Sequence, residues 1–172
     1  LMRLFSKKPK TILFLGLKDC GKTSIIYSFI FKEEIKTIPT VGVEEIEVKI
    51  NKKKFNFFDM TGCYYASKIW FHYYPYSDAV VYVIDINSLC DKSKYIEEVD
   101  YLKDVINKYN KKIVIVLTKY TKRTKENIED IKNTLFLHIA ENCKNRINSI
   151  SIIQYDINDR PNEYLKNWLL KI

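Results

Sequence analysis

One run of residues carries the first chemical signal. Gly16-Leu17-Lys18-Asp19-Cys20-Gly21-Lys22-Thr23 fits the spacing G-x-x-x-x-G-K-[ST]. Backbone N–H groups can wrap a phosphate only where side chains leave them clear, and the paired glycines leave them clear. A helix starting at the end of the loop adds the positive end of its dipole. Lys22 is then placed to reach the β- and γ-phosphates of a nucleotide, and the hydroxyl of Thr23 to ligate Mg²⁺. Asp19, Cys20, Gly21 and Ser24 join them as nucleotide-binding candidates, and Lys18 adds positive charge beside the phosphates.

Glycine is scarce elsewhere. The chain holds 4 in 172 residues, where average usage near 7% predicts about twelve. A chain this sparing keeps glycine where its backbone requires it. The four are Gly16, Gly21, Gly42 and Gly62.

The loop works only between a strand and a helix, and the flanking pattern supplies both. Thr11–Leu15 is an apolar strand, and a helix is expected from about Thr23 to Phe31. Val43–Ile50 and Lys54–Asp59 flank Asn51-Lys52-Lys53 and read as a hairpin. Ala79–Asp85 and Lys112–Thr118 are continuous apolar runs, as in central strands covered on both faces. Helical spacing over Lys92–Tyr109 places Tyr95, Ile96, Val99, Leu102, Val105 and Ile106 on one inward stripe. A further helix spans Thr124–Asn142 with Ile128, Ile131, Leu135 and Ile139 inward. A strand at Ile150–Tyr155 and a helix over Pro161–Lys171 close the chain. Six strands alternating with helices predict an α/β fold with a mostly parallel sheet and helices on both faces.

Composition agrees. The 47% apolar and 14% aromatic content excludes a disordered chain. No stretch approaches the roughly 20 apolar residues of a membrane span. The basic N-terminus meets Pro9 before any apolar segment, unlike a signal peptide. Residues 1–172 read as a single domain with a short extension at 1–10, and Leu1 ahead of Met2 reads as an addition before the natural start. Cys20, Cys63, Cys90 and Cys143 lack metal-ligand spacing. They fit a reducing compartment, hence a cytoplasmic protein or one peripheral to an organelle membrane. The net charge of +8 raises nucleic acid or an anionic surface as partners. The lysines are dispersed along the sequence, so nucleic-acid binding is disfavoured.

With these motifs in place, the chain resembles the ADP-ribosylation-factor (Arf/Arl) branch of the Ras-like small GTPases. Gly16-Leu17 with Gly21-Lys22-Thr23 is similar to that branch's phosphate loop. Thr37-Ile38-Pro39-Thr40-Val41-Gly42 resembles its switch I. Asp59-Met60-Thr61-Gly62 resembles the D-x-x-G of switch II. Trp70-Phe71-His72-Tyr73-Tyr74 resembles the W-x-x-Y-Y segment that follows, and Asp78–Asp85 the next strand. The resemblance implies a P-loop small-G-protein fold that binds GTP or GDP with Mg²⁺. Thr23, Thr40 and Asp59 would hold the metal, Asp59 through water. Gly62 would sense the γ-phosphate through its N–H. Loss of that phosphate would release both switches, and effector and regulator proteins would read them in vesicle traffic.

The sequence also departs from the pattern. Cys63 stands where the family has the glutamine that orients the attacking water. A thiol is a weak donor and too short for that task, so hydrolysis is expected to be slow. A redox role for Cys63 or Cys20 is the alternative to an ordinary thiol. At the family's N-K-x-D segment the chain reads Thr118-Lys119-Tyr120-Thr121. Thr118 replaces the asparagine that ties this segment to the phosphate loop, while Lys119 keeps a stem that can cover the purine. Thr121 replaces the aspartate that grips guanine. Losing that charged pair predicts roughly 10- to 150-fold weaker guanine binding. In the last loop, Asp156 to Asn158 covers the position of the family's alanine. An aspartate there would repel guanine O6 and accept from adenine, or replace the lost guanine contact, or face water. No glycine follows Met2, so the myristoylation signal is missing and membrane contact is expected to be weak or absent. The aromatic run Trp70, Tyr73, Tyr74, Tyr76 reads either as an effector surface or as core beneath switch II. The expectation is a GTP/GDP switch with slow hydrolysis. The alternatives are a pseudo-GTPase and a P-loop interaction module of promiscuous base preference.

Overall fold

The computed structural model describes residues 8–31, 37, 41–63, 65–120, 127–143, 146, 149–156 and 162–172. The expected switch I threonine Thr40, the base-site Thr121, the helix start at Thr124, Asn158, Pro161 and most of the extension 1–10 lie outside the described residues.

The six strands are β1 Lys10–Leu15, β2 Val43–Ile50, β3 Lys53–Met60, β4 Ala79–Asp85, β5 Lys112–Thr118 and β6 Ile150–Gln154. They form one sheet in the order β2-β3-β1-β4-β5-β6. All neighbours are parallel except β2 and β3, which form the hairpin. Its turn is two residues, Asn51-Lys52, because Ile50 pairs with Lys53. The expected three-residue turn is one too long. Asn51 supplies the left-handed conformation at φ 55°, which asparagine tolerates better than most residues.

The helices among the described residues are α1 Lys22–Ser28, α2 Ala66–Tyr73, α3 Ile86–Cys90, α4 Lys92–Lys108, α5 Ile128–Asn142 and α6 Glu163–Leu170, with a 3₁₀ turn at Tyr74–Tyr76. The strand period of two sorts the core onto both faces. Ile12, Phe14, Phe55, Phe57, Val81, Val83, Val114 and Val116 pack with Ile25 and Ile26 of α1 and with Leu165 and Leu169 of α6. Leu13, Leu15, Val80, Tyr82, Ile84, Ile113, Ile115 and Leu117 pack with Trp70, Leu102, Val105, Leu135 and Ile139. Burial on both faces is why β4 and β5 read as unbroken apolar runs.

One expectation about packing is corrected, and one open alternative is divided. Ile96 is not inward: it is 66% exposed. The buried face of α4 runs through Glu98, Leu102, Val105 and Ile106, and Glu98 is only 1% exposed. The aromatic run divides: Trp70 and Tyr74 are core, while Tyr76 is exposed.

Candidate functional site

Every parallel strand points its C-terminal end at the same edge of the sheet, and the motif-bearing loops collect there. β1 ends at Leu15 and passes through Gly16 into the phosphate loop. Gly16 lies at φ 137°, and a Cβ there would stand 2.2 Å from the Val83 carbonyl oxygen. No other residue fits this close approach of β4. Gly21, at φ 103°, caps α1 from the left-handed region.

Lys22 is 6% exposed. Its Nζ donates to the carbonyls of Gly16 (3.0 Å) and Leu17 (2.9 Å) and lies 3.7 Å from Cys20 Sγ. The ammonium is thus held inside the loop. Lys18 and Asp19 are exposed on its rim. Thr23 Oγ1 donates to Asp59 Oδ2 at 2.5 Å, so the end of β3 and the start of α1 meet through hard oxygen atoms. Ser24 Oγ lies 3.5 Å from Thr37 Oγ1.

Gly62 sits against the phosphate loop. A Cβ there would stand 2.4 Å from Leu17 C and 2.5 Å from Lys18 N. The neighbouring Thr61 carbonyl accepts from the Trp70 indole at 3.2 Å. Trp70 itself is wedged edge-on against Tyr82, with ring centroids 6.3 Å apart. A core aromatic therefore fixes the backbone just before Gly62.

Lys18, Asp19, Gly21, Lys22, Thr23 and Ser24 line a cavity of 650 Å³. Thr61, Gly62, Cys63 and Lys119 line it as well. Cys63 is exposed at the mouth. Cys20 lies under the loop, where burial pushes its thiol up to about 11 against a smaller opposing pull from Lys22. Burial thus disfavours the thiolate that redox chemistry at Cys20 would need.

The strand-five loop reaches the same place. Thr118 is buried, and its hydroxyl lies 2.7 Å from the Cys20 carbonyl and 3.2 Å from that of Ile84. The tie to the phosphate loop therefore exists with threonine in place of asparagine. Lys119, at φ 58°, pairs with Asp85 at 3.2 Å and donates to the Asp19 carbonyl. Asn87 Nδ2 bridges Asp85 Oδ1 (2.8 Å) and the Lys119 carbonyl (3.0 Å). Asp85 and Asn87 carry this part of the site, and sequence reasoning passed over both. The signal was their place at the end of β4, beside the end of β5. Asp156 follows β6 and does not line the cavity. Its charge reaches Tyr120, whose hydroxyl is raised chiefly by burial. His72 is exposed, and His138 packs edge-on against Tyr95.

A hydroxyl and one carboxylate form a sparse, all-oxygen donor set. That set fits Mg²⁺, which keeps several waters and uses substrate phosphates to complete its octahedron. Among the described residues no cluster of three or more His, Cys, Asp or Glu side chains could hold a metal alone.

Comparison with known proteins adds to this geometry. The model of the ADP-ribosylation factor family matches residues 1–168. Among solved structures, the chain is similar to the mammalian SRP receptor structure at TM-score 0.70 and 18% identity, over 94% of this chain and 99% of that one. It is similar to the Arl6 BBS3 small GTPase from Trypanosoma brucei, which carries a bound nucleotide analogue. There the TM-score is 0.66 and the identity 18%, over 95% of this chain and 96% of that one. The bacterial selenocysteine-specific elongation factor EF-Sec matches at TM-score 0.66 and 16% identity, over 95% of this chain but 28% of its own length. At these identities the structural likenesses speak to the fold.

Proposed function

The chain belongs to the ADP-ribosylation factor family, and from that premise we propose that it is a GTP/GDP-binding switch with slow intrinsic hydrolysis, acting on protein partners in vesicle traffic. The observation that carries the nucleotide reading is the convergence of Lys22, Thr23 and Gly62 on one cavity. In this reading the backbone N–H groups of the loop from Leu17 to Thr23 take the phosphates, with Lys22 neutralising their charge. Mg²⁺ would be held by Thr23 and Asp59, joined by Thr40, and would supply charge neutralisation at the phosphates. Gly62 packs so tightly on Leu17 and Lys18 that any shift of the loop must move the start of switch II. Cys63 lacks the carboxamide that would orient a water, which supports slow hydrolysis.

For the base, Thr118 preserves the scaffold, and Asp85 holds Lys119 over the phosphate-loop rim. Thr121 and Asp156 are proposed base contacts, with guanine selectivity weakened by the missing carboxylate at Thr121. The role in traffic rests on family membership, as does reading of the switches by effectors and regulators. A cytoplasmic location is proposed on the same ground.

Calorimetric titration of nucleotide-stripped protein with GDP, a non-hydrolysable GTP analogue and its ATP counterpart tests the reading. Guanine-selective, Mg²⁺-dependent binding that is lost in Lys22→Ala is expected. Equal affinity for the adenine counterpart would replace it with a promiscuous P-loop module. No binding of any nucleotide would replace it with a pseudo-GTPase.

A further inference from the structure

A glutamate is almost never buried completely unless polar partners meet it. Glu98 is 1% exposed, on the inner face of α4. An apolar residue would pack there as its helical neighbours Leu102 and Val105 do. The carboxyl instead meets two hydroxyls. The Tyr82 hydroxyl on β4 donates to Glu98 Oε1 at 3.5 Å. The Ser88 hydroxyl on α3 is its second hydrogen-bond partner. Its charge is also felt at Cys20 and Lys22, so it lies near the phosphate loop.

Each hydroxyl leads to a different wall of the cavity. The Tyr82 ring is met edge-on by Trp70, whose indole donates to the Thr61 carbonyl at 3.2 Å. Thr61 and Gly62 line the cavity where Gly62 abuts Leu17 and Lys18. On the other arm, Ser88 Oγ donates to the Asp85 carbonyl at 2.6 Å. The Asp85 carboxylate holds Lys119 at 3.2 Å and Asn87 at 2.8 Å, and Asn87 also donates to the Lys119 carbonyl. Lys119 lines the cavity as well. A serine has one hydroxyl proton to give. With Glu98 protonated, the chain of donors runs unbroken: Tyr82 to Glu98, Glu98 to Ser88, Ser88 to Asp85. Burial, which disfavours the charged carboxylate, favours that form.

We propose that Glu98 is a positioning residue for the cavity, holding Thr61 and Gly62 through Tyr82 and Trp70, and Lys119 through Ser88 and Asp85. It touches no ligand. The proposal rests on the nucleotide reading only for what the cavity holds. In that reading one wall senses the γ-phosphate and the other covers the base, so one buried side chain on α4 joins the two.

Amide hydrogen exchange of the nucleotide-free full chain reads the two walls. Release of fluorescent GDP and of a fluorescent GTP analogue reads the ligand. Glu98→Leu keeps the volume and removes both bonds. Exchange should rise about tenfold at Thr61 and Gly62 and at Lys119, with both nucleotides released faster by a similar factor. Tyr82→Phe should loosen Thr61 and Gly62 alone, and speed release of the GTP analogue more than of GDP. Ser88→Ala should loosen Lys119 alone, and speed both releases equally. Glu98→Gln is compared at about pH 6, where the wild-type carboxyl is mainly neutral. It should keep both walls within about twofold of wild type, because its amide accepts from Tyr82 and donates to Ser88. A side chain that only fills space would produce no such division. Wild-type exchange at both walls in Glu98→Leu overturns the proposal. So does acceleration spread evenly over α4 and β4, or a Glu98→Gln protein that behaves like Glu98→Leu. If Glu98→Leu does not fold, the single-arm variants decide, and loosening of the same wall by both overturns the proposal. A wild type that binds neither nucleotide would end the nucleotide reading, and the exchange pattern would still decide the role of Glu98.

Discussion

At the scale of single residues, the site shows how a motif can change letters and keep a contact. Asparagine at position 118 was the family expectation, and its carboxamide can bond two groups at once. Threonine has one hydroxyl proton, and the shorter contact, 2.7 Å to the Cys20 carbonyl, takes it. Thr118→Val keeps the shape and removes the bond, leaving a buried carbonyl unsatisfied at a cost of about 1–2 kcal/mol. Nucleotide dissociation should accelerate roughly tenfold, equally for guanine and adenine, because the tether touches no base. Stopped-flow release of a fluorescent nucleotide measures this, and a change confined to guanine would contradict the assignment. Cys63 is different in kind, since among the described residues lining the cavity none carries a carboxamide to replace the missing one. Cys63→Gln should raise single-turnover GTP hydrolysis by about tenfold or more while leaving affinity within about twofold. A rate that does not move would mean that this position no longer reaches the attacking water.

At the scale of elements, α4 carries a feature that periodicity alone hides. Glu98, Leu102, Val105 and Tyr109 recur at helical spacing and form the buried face, but a search for apolar residues passes over the glutamate and takes Ile96 instead. Burial raises the Glu98 carboxyl from 4.5 to about 7, against the lowering effect of Ser88, Tyr82 and Lys22 and with a further rise from Glu97. The folded value exceeds the unfolded one. The group therefore contributes stability below about pH 4.5, and loses it as pH rises through about 7. The loss is on the order of 3 kcal/mol. Glu98→Gln mimics the protonated form, so it should match wild type in thermal midpoint near pH 5. Near pH 8 it should exceed wild type by about 5 °C. A pH-independent offset would mean packing, not titration, sets the effect. The same contrast explains what the sequence made legible. Strands buried on both faces announce themselves as apolar runs, and β4 and β5 fall where expected. α3 is five residues long and too short to display a period. α2 was concealed by an aromatic run that reads equally as surface or core. In the site, Lys22, Thr23, Asp59 and Gly62 were legible because phosphate chemistry fixes their spacing. Asp85 and Asn87 were not, because their partner Lys119 follows a strand far along the chain, and only the sheet order brings them together.

At the scale of the whole molecule, the two ends of the sheet are specialised by the direction of the strands. One end gathers backbone N–H groups and a carboxylate around a cavity; the other carries the exposed lysines of the hairpin turn. Ligand at the first end should be felt by the entire fold, because Gly62, Trp70 and Tyr82 link the phosphate loop to the packed face that holds α4 and α5. A ligand that binds only the folded state stabilises it by about 2.7 kcal/mol at a hundredfold excess over its Kd. For a domain of this size that is a rise in thermal midpoint of about 5–10 °C. GDP with Mg²⁺ should produce this rise in wild type, and chelation of Mg²⁺ should reduce it. Lys22→Ala should unfold cooperatively with no rise, since its loss empties the phosphate loop of charge and leaves both core faces intact. A Lys22→Ala variant that still responded to GDP would show that nucleotide enters elsewhere. One that failed to fold would show that the ammonium, held by the Gly16 and Leu17 carbonyls, serves the fold before it serves a ligand.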